Sequence, residues 1–197
     1  GNRQTGAMAL SMTIARLSIS RTTTQSPTCG TAFSARHGTV DQSGRLTSVW
    51  RDGRRKMDIV EITTKSALVR SRIPSVEYVI NPYTGCGHGC RYCYAVFMGK
   101  YSRHHQNARW GSFVEVKTNI AEVLRGELAR KRKTATAMLS SVCDPYQPAE
   151  DKYQLTRACI EALREYGWST DILTRSPLVT RDIPLLASCI GAAVGFS

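Results

Sequence analysis

The sequence predicts an α/β fold, incomplete at its carboxyl end and preceded by a low-order basic extension. Two observations carry that expectation. From about residue 58, β-rich stretches alternate with amphipathic helical ones: strand, loop, helix, four times over, with a fifth strand beginning. Strands joined through helices pair in parallel by right-handed crossovers. Residues 1–57 differ in composition, being rich in Ser, Thr, Arg and Gly. They hold nine Arg and Lys against two acids, Asp41 and Asp52.

The elements follow in chain order. "VEYVINP" (76–82) is β-rich and stops at Pro82, so it reads as a strand. "SFVEVKT" (112–118) alternates Phe113, Glu115 and Lys117 with Val114 and Val116, and reads as the second. "NIAEVLRGELARKRK" (119–133) puts Ile120, Val123, Leu124 and Leu128 on one helical face. Asn119 is its expected N-cap, and the cations Arg130–Lys133 suit the negative end of the helix dipole. "ATAMLSSV" (135–142) is a buried-strand candidate. "AEDKYQLTRACIEALREYG" (149–167) reads as one helix, entered at Pro148, with Glu150 and Asp151 in its first turn and Gly167 at its end. "STDILTRS" (169–176) is the next strand. "PLVTRDIPLLASCIG" (177–191) is the next helix, capped by Ser176 or Thr180, and "AAVGFS" (192–197) starts a fifth strand.

Composition narrows the function classes. No apolar run reaches the roughly 18 residues that a membrane span needs. The net charge is +12, with much of it in the first 57 residues. Such charge attracts nucleic acid or anionic surfaces, although a solvated tail accounts for it more simply. The acid-poor leader has the composition of an organelle transit peptide, but it reads as a disordered tail. Seven cysteines without a secretory signal argue against a disulfide framework. They favour a reducing, cytoplasmic compartment with metal-binding or catalytic thiols.

In parallel α/β sheets the ligand site lies beyond the carboxyl ends of the strands. Three unusual loops are expected there: "NPYTGCGHGCRYCYA" (81–95), "CDPYQP" (143–148) and "TRSP" (174–177). The first holds Cys86, Cys90 and Cys93 among Gly85, Gly87 and Gly89, glycines that let a backbone wrap closely. A zinc site wants four ligands, often in paired CxxC units, and no second pair is present. His88 is a poor fourth ligand because it sits between the cysteines. Three thiolates suit a four-iron cluster with one iron left open for chemistry.

Cys86-x3-Cys90-x-aromatic-Cys93 after a first strand resembles the radical S-adenosylmethionine (SAM) superfamily. "SRIPSVEYVINPYTGCGHGCRYCYA", "SSVCDPYQPAEDKYQLTR" and "ILTRSPLVTRDIPLL" resemble its spore photoproduct lyase-like branch, over about residues 61–197. The resemblance implies a partial (β/α)6 TIM-like barrel, stopping within the fifth strand. It implies that the three cysteines hold a [4Fe-4S] cluster whose fourth iron binds SAM. An electron from an external flavodoxin- or ferredoxin-like donor would cleave SAM to methionine and a 5′-deoxyadenosyl radical.

Further roles follow from the same resemblance. Tyr92 packs near the adenine, Cys143 touches SAM and is a candidate radical relay, Arg175 meets the SAM carboxylate or hydroxyls, and Ser197 contacts the ribose. The lyase's own hydrogen-donating cysteine aligns nearer Ser141. The Gly-Gly-Glu motif for the SAM amino group is absent, leaving Glu115 and Lys117 as the nearest polar residues. The substrate is unspecified, with nucleic acid suggested by kinship. An incomplete barrel is expected to be poorly stable and inactive by itself, with an unpaired sheet edge.

The remaining candidates have plainer readings. His88, His104 and His105 read as loop or surface residues. Cys159 and Cys189 read as small core residues, Cys29 as incidental, and "ARKRK" as a solvated helix end. Tyr83, Tyr92 and Tyr94 could simply pack around the loop. The competing function is a non-catalytic zinc- or cluster-binding nucleic-acid module using the same thiols.

Overall fold

The computed structural model describes residues 39–40, 46–52 and 55–197. The expectations for Cys29 and for most of the basic extension lie outside the described residues. The strands are β1 (Thr39–Val40), β2 (Leu46–Asp52), β3 (Arg55–Ile62), β4 (Val69–Arg70), β5 (Tyr78–Ile80), β6 (Tyr83–Thr84), β7 (Phe113–Lys117), β8 (Thr136–Leu139), β9 (Ser169–Thr174) and β10 (Ala192–Phe196). The α-helices are α1 (Ile120–Leu128), α2 (Ala149–Tyr153), α3 (Leu155–Glu165) and α4 (Ile183–Ala187). Two 3-10 segments, Tyr94–Tyr101 and Pro177–Asp182, complete the fold.

The strands form two five-stranded sheets and no closed barrel among the described residues. One sheet runs β10-β9-β8-β5-β4, and in it β5, β8, β9 and β10 are parallel. The other runs β1-β2-β3-β7-β6. Strand 113–117, expected to be the second of one parallel series, therefore lies in the other sheet, parallel to β3. The chain passes between the sheets at Asn81 and Pro82, where Pro82 supplies no ladder donor. The boundary drawn at residue 57 falls inside β3, which pairs with β2 on one side and β7 on the other.

One apolar core joins the two sheets. It includes Met57 and Ile59 of β3, Ile80 of β5, Val114 and Val116 of β7, and Leu139 of β8. α1 contributes Ile120, Leu124 and Leu128, spaced four apart so that they share one face. α3 contributes Leu155, Cys159, Ile160, Ala162 and Leu163. Fully burying one such leucine is worth about 2 kcal/mol.

Two helix expectations change for physical reasons. The expected helix 149–167 is two helices, broken at Gln154, whose φ is 51°. The break lets the Glu150 carboxylate accept the N–H groups of Thr156 (2.9 Å) and Arg157 (3.2 Å), the open donors of α3's first turn. Asn119 precedes α1 but makes no side-chain cap. Its amide instead bonds both backbone groups of Thr64, accepting from N–H at 2.8 Å and donating to C=O at 2.9 Å. The cations Arg130–Lys133 lie beyond the end of α1, and Ser176 rather than Thr180 caps the 3-10 segment before α4.

Candidate metal centre

β8 lies between β5 and β9, so the loop that follows it can reach the loops of both neighbours. The stitching begins at the strand ends. Ser140 N–H donates to Ile80 C=O (2.7 Å) and Ser141 N–H donates to the Asn81 side chain (3.1 Å). The Tyr94 hydroxyl donates to the Ser141 carbonyl. Ser140 takes a left-handed φ of 63°, an uncommon conformation for a residue with a Cβ, where the chain leaves β8.

Asp144 is the junction of the three loops. Its carboxylate accepts from Tyr146 N–H (2.8 Å) in its own loop, and from the Thr174 hydroxyl (2.6 Å) and Arg175 N–H (2.9 Å) after β9. His88 Nε2 approaches it from the cysteine loop at 3.4 Å. Burial alone would raise the Asp144 pKa, but these donors outweigh it and hold the carboxyl below its ordinary value.

The cysteine loop is wrapped against β7. Gly85 has a φ of 87°, and a Cβ there would stand 2.5 Å from the Phe113 carbonyl oxygen, so the position requires glycine. Cys86 is buried, whereas Cys90 and Cys93 are half-buried. Burial, reinforced by nearby Cys143, pushes the Cys86 thiol up to about 12 against the pull of the Asp144 and His88 N–H groups. Arg175 donates to Cys90 Sγ (2.7 Å) and to the Tyr92 hydroxyl (3.1 Å). β8 ends at Leu139, so Cys143 lies in the loop beyond it. Its thiol faces the Tyr83 carbonyl (3.6 Å) and Ser140 Oγ (3.4 Å). Burial raises the Cys143 thiol to about 11, over the opposing effects of Ser140 and Lys117.

The structure thus brings Cys86, Cys90, Tyr92, Cys143 and Arg175 into one cluster of loops. Tyr92 is 79% exposed. Ser197 follows β10, and its N–H donates to Thr174 C=O (3.2 Å) beside the same loops. Three free thiols on one glycine-wrapped loop are ligands of the type that iron–sulfur clusters take. Among the described residues, however, no three Cys, His, Asp or Glu side chains already stand together as a metal-holding group.

Other candidates have different employment. Glu115 is buried and accepts from the Ser102 hydroxyl (2.6 Å) and His104 N–H (3.2 Å), which shapes the turn before β7. Lys117 donates to the Asn81 carbonyl (2.8 Å), and desolvation lowers its pKa. His105, expected in a loop or at the surface, lies in a loop but is buried, stacked on Phe113 and 3.1 Å from Asp58. Tyr83 is fully buried and donates to Glu150 at 2.5 Å.

Sequence reasoning missed the buried polar layer beneath the loops. Glu150 and Asp182 are fully buried and share Arg181, whose Nη2 lies 2.9 Å from Glu150 and 2.8 Å from Asp182. Arg157 brings a second guanidinium to Asp182, at 2.7 Å. The only sequence signal was the pair of acids after Pro148, which looks like ordinary first-turn charge.

No helix of the described residues is long and apolar enough to cross a membrane. No known family model matches the chain. No solved structure matches it either. An uncharacterized protein of Methanocaldococcus jannaschii is 35% identical over 142 residues, covering 72% of this chain and 52% of that protein. An uncharacterized protein of Mycobacterium tuberculosis is 40% identical over 133 residues, covering 64% and 38%. An uncharacterized protein of Acidianus two-tailed virus is 31% identical over 115 residues, covering 56% and 38%. The chain is similar to these proteins and spans about half of their length or less.

Proposed function

We propose that the chain is a radical SAM enzyme domain of the spore photoproduct lyase-like type, a portion of a (β/α)6 barrel that binds a [4Fe-4S] cluster through Cys86, Cys90 and Cys93. One observation carries the reading. Three thiols sit on a single glycine-wrapped loop that follows β5 and β6, tied to the loops after the parallel strands β8 and β9. When bound, the cluster and SAM supply reductive cleavage of a carbon–sulfur bond, yielding methionine and a 5′-deoxyadenosyl radical.

The chain's own residues bind and orient. Tyr92 offers an exposed ring face for the adenine, and Arg175 offers a guanidinium for the SAM carboxylate or hydroxyls. Ser197 stands beside Thr174 as a ribose contact. Cys143, whose thiol stays protonated at neutral pH, holds a transferable hydrogen. A flavodoxin- or ferredoxin-like protein of the cytoplasm is the proposed reductant, and nucleic acid is the proposed substrate class.

Anaerobic reconstitution with iron and sulfide tests the reading. The expected result is a cluster whose absorption and paramagnetic spectra change on addition of SAM, with 5′-deoxyadenosine formed after reduction. Stoichiometric zinc with no response to SAM would replace it with a non-catalytic nucleic-acid module. Cys143→Ala is expected to leave iron and sulfide unchanged. In D2O it should lower deuterium incorporation into 5′-deoxyadenosine at least about tenfold, measured by mass spectrometry. Unchanged incorporation would remove Cys143 from the hydrogen-transfer role.

A further inference from the structure

We infer that Gln147 is the positioning residue of the cysteine loop, its single side-chain amide bonding both backbone groups that flank Cys86. Oε1 accepts from Gly87 N–H at 2.8 Å, and Nε2 donates to Gly85 C=O at 3.2 Å. The side chain is fully buried. It does for this stretch what a neighbouring strand would do, because β6 ends at Thr84. Buried backbone groups left without partners are costly, so the loop depends on this amide to keep its shape.

The surroundings hold the amide in place. Gln147 N–H donates to Asp144 C=O (3.3 Å), and Gln147 C=O accepts from Glu150 N–H (2.9 Å), which fixes the turn that enters α2. Pro148 lies against the same loop: a Cβ at Gly87 would stand 3.3 Å from Pro148 Cδ and 2.8 Å from Met57 Sδ. A primary amide offers a donor and an acceptor in one plane without carrying charge. Glutamate would set a second acceptor against the Gly85 carbonyl, and leucine would fill the space while leaving both backbone groups unpaired. Gln147 acts through the backbone on either side of Cys86. Its meaning for cluster binding rests on the reading of Cys86 as a ligand, whereas the clamp exists in the metal-free chain.

The test compares alkylation rates of Cys86 and Cys159 by iodoacetamide in the metal-free protein, mapped by mass spectrometry. Cys159 lies fully buried on α3 and reports general loosening. Gln147→Leu is expected to speed Cys86 alkylation about tenfold while leaving Cys159 unchanged. Gln147→Glu should fall between, because the Gly87 N–H keeps its acceptor. After anaerobic reconstitution, Gln147→Leu should lose iron to a chelator about tenfold faster than the parent protein. An unchanged Cys86 rate, or a rise matched by Cys159, overturns the clamp. If the parent protein takes up no cluster, the reading of the metal centre fails, and the alkylation rates still decide the role of Gln147.

Discussion

Replacing Cys90 with alanine removes more than about 90% of the iron and sulfide that the anaerobically reconstituted chain retains. In the proposed cluster three protein ligands serve four irons, and no spare thiol is at hand on the loop. Cys90 is also the thiol that joins the cysteine loop to the loop after β9, through the 2.7 Å bond from Arg175. Alanine deletes the proposed ligand and that tie together. The control is Cys159→Ala, whose thiol is enclosed in the core away from the loop and whose loss leaves iron and sulfide unchanged. Iron and acid-labile sulfide assays, read with the visible absorption of the cluster, check both. Full retention of iron and sulfide by Cys90→Ala would place the ligands elsewhere.

Replacing Asp182 with asparagine destabilises the fold by about 3 kcal/mol at neutral pH, because it strips a buried carboxylate from two guanidinium groups. Asp182 has no exposed side-chain surface, and it accepts from Arg157 and Arg181 within 2.8 Å. Arg181 also bonds Glu150, which caps α3 and accepts the Tyr83 hydroxyl, so the loss spreads to the layer below the cysteine loop. For a domain of this size the melting temperature falls by about 10 °C.

The pH dependence has a definite sign. Burial works to raise the Asp182 carboxyl, but Arg181 and Arg157 overcome it and hold the pKa below its ordinary value. Its contribution is therefore complete above the unfolded value of about 3.9 and is lost as pH falls through the lower folded value. The gap between parent and variant is widest at neutral pH and closes in acid. Glu150 acts in the opposite sense: burial raises its pKa, so the fold gains from its protonation as pH falls toward the ordinary glutamate range. Denaturant melts of both proteins between neutral pH and pH about 3 check the prediction. A gap that stays constant with pH would show that the carboxylate charge is not what matters.

Local pattern was legible in proportion to how local its cause was. The four-residue spacing of Ile120, Leu124 and Leu128 is a property of helix geometry, and these three residues form the buried face of α1. β9 alternates as written, with Thr170, Ile172 and Thr174 inward. The break at Gln154 was not legible, because nothing in the helical period of 149–167 says that Glu150 will fold back to cap the following turn. The burial of the loop residue His105 was not legible for a similar reason. Its burial comes from Phe113 and Asp58, the latter 47 residues away. Nor could alternation assign β7 to a sheet, since a strand buried on both faces pairs equally well in either.

By itself the sequence determined which chemistry the chain offers: three thiols within eight positions, on a loop that glycine allows to curl, at the end of a strand. Residue identity and spacing are covalent facts that folding cannot change. Only the tertiary structure decided what holds that loop. Gln147 meets Gly87 across 60 residues, and Arg175 meets Cys90 across 85. Those partners are selected by the order of β5, β8 and β9 in the sheet. A hydrogen bond depends on where two groups arrive in space, and the residue pattern around either one alone does not encode that.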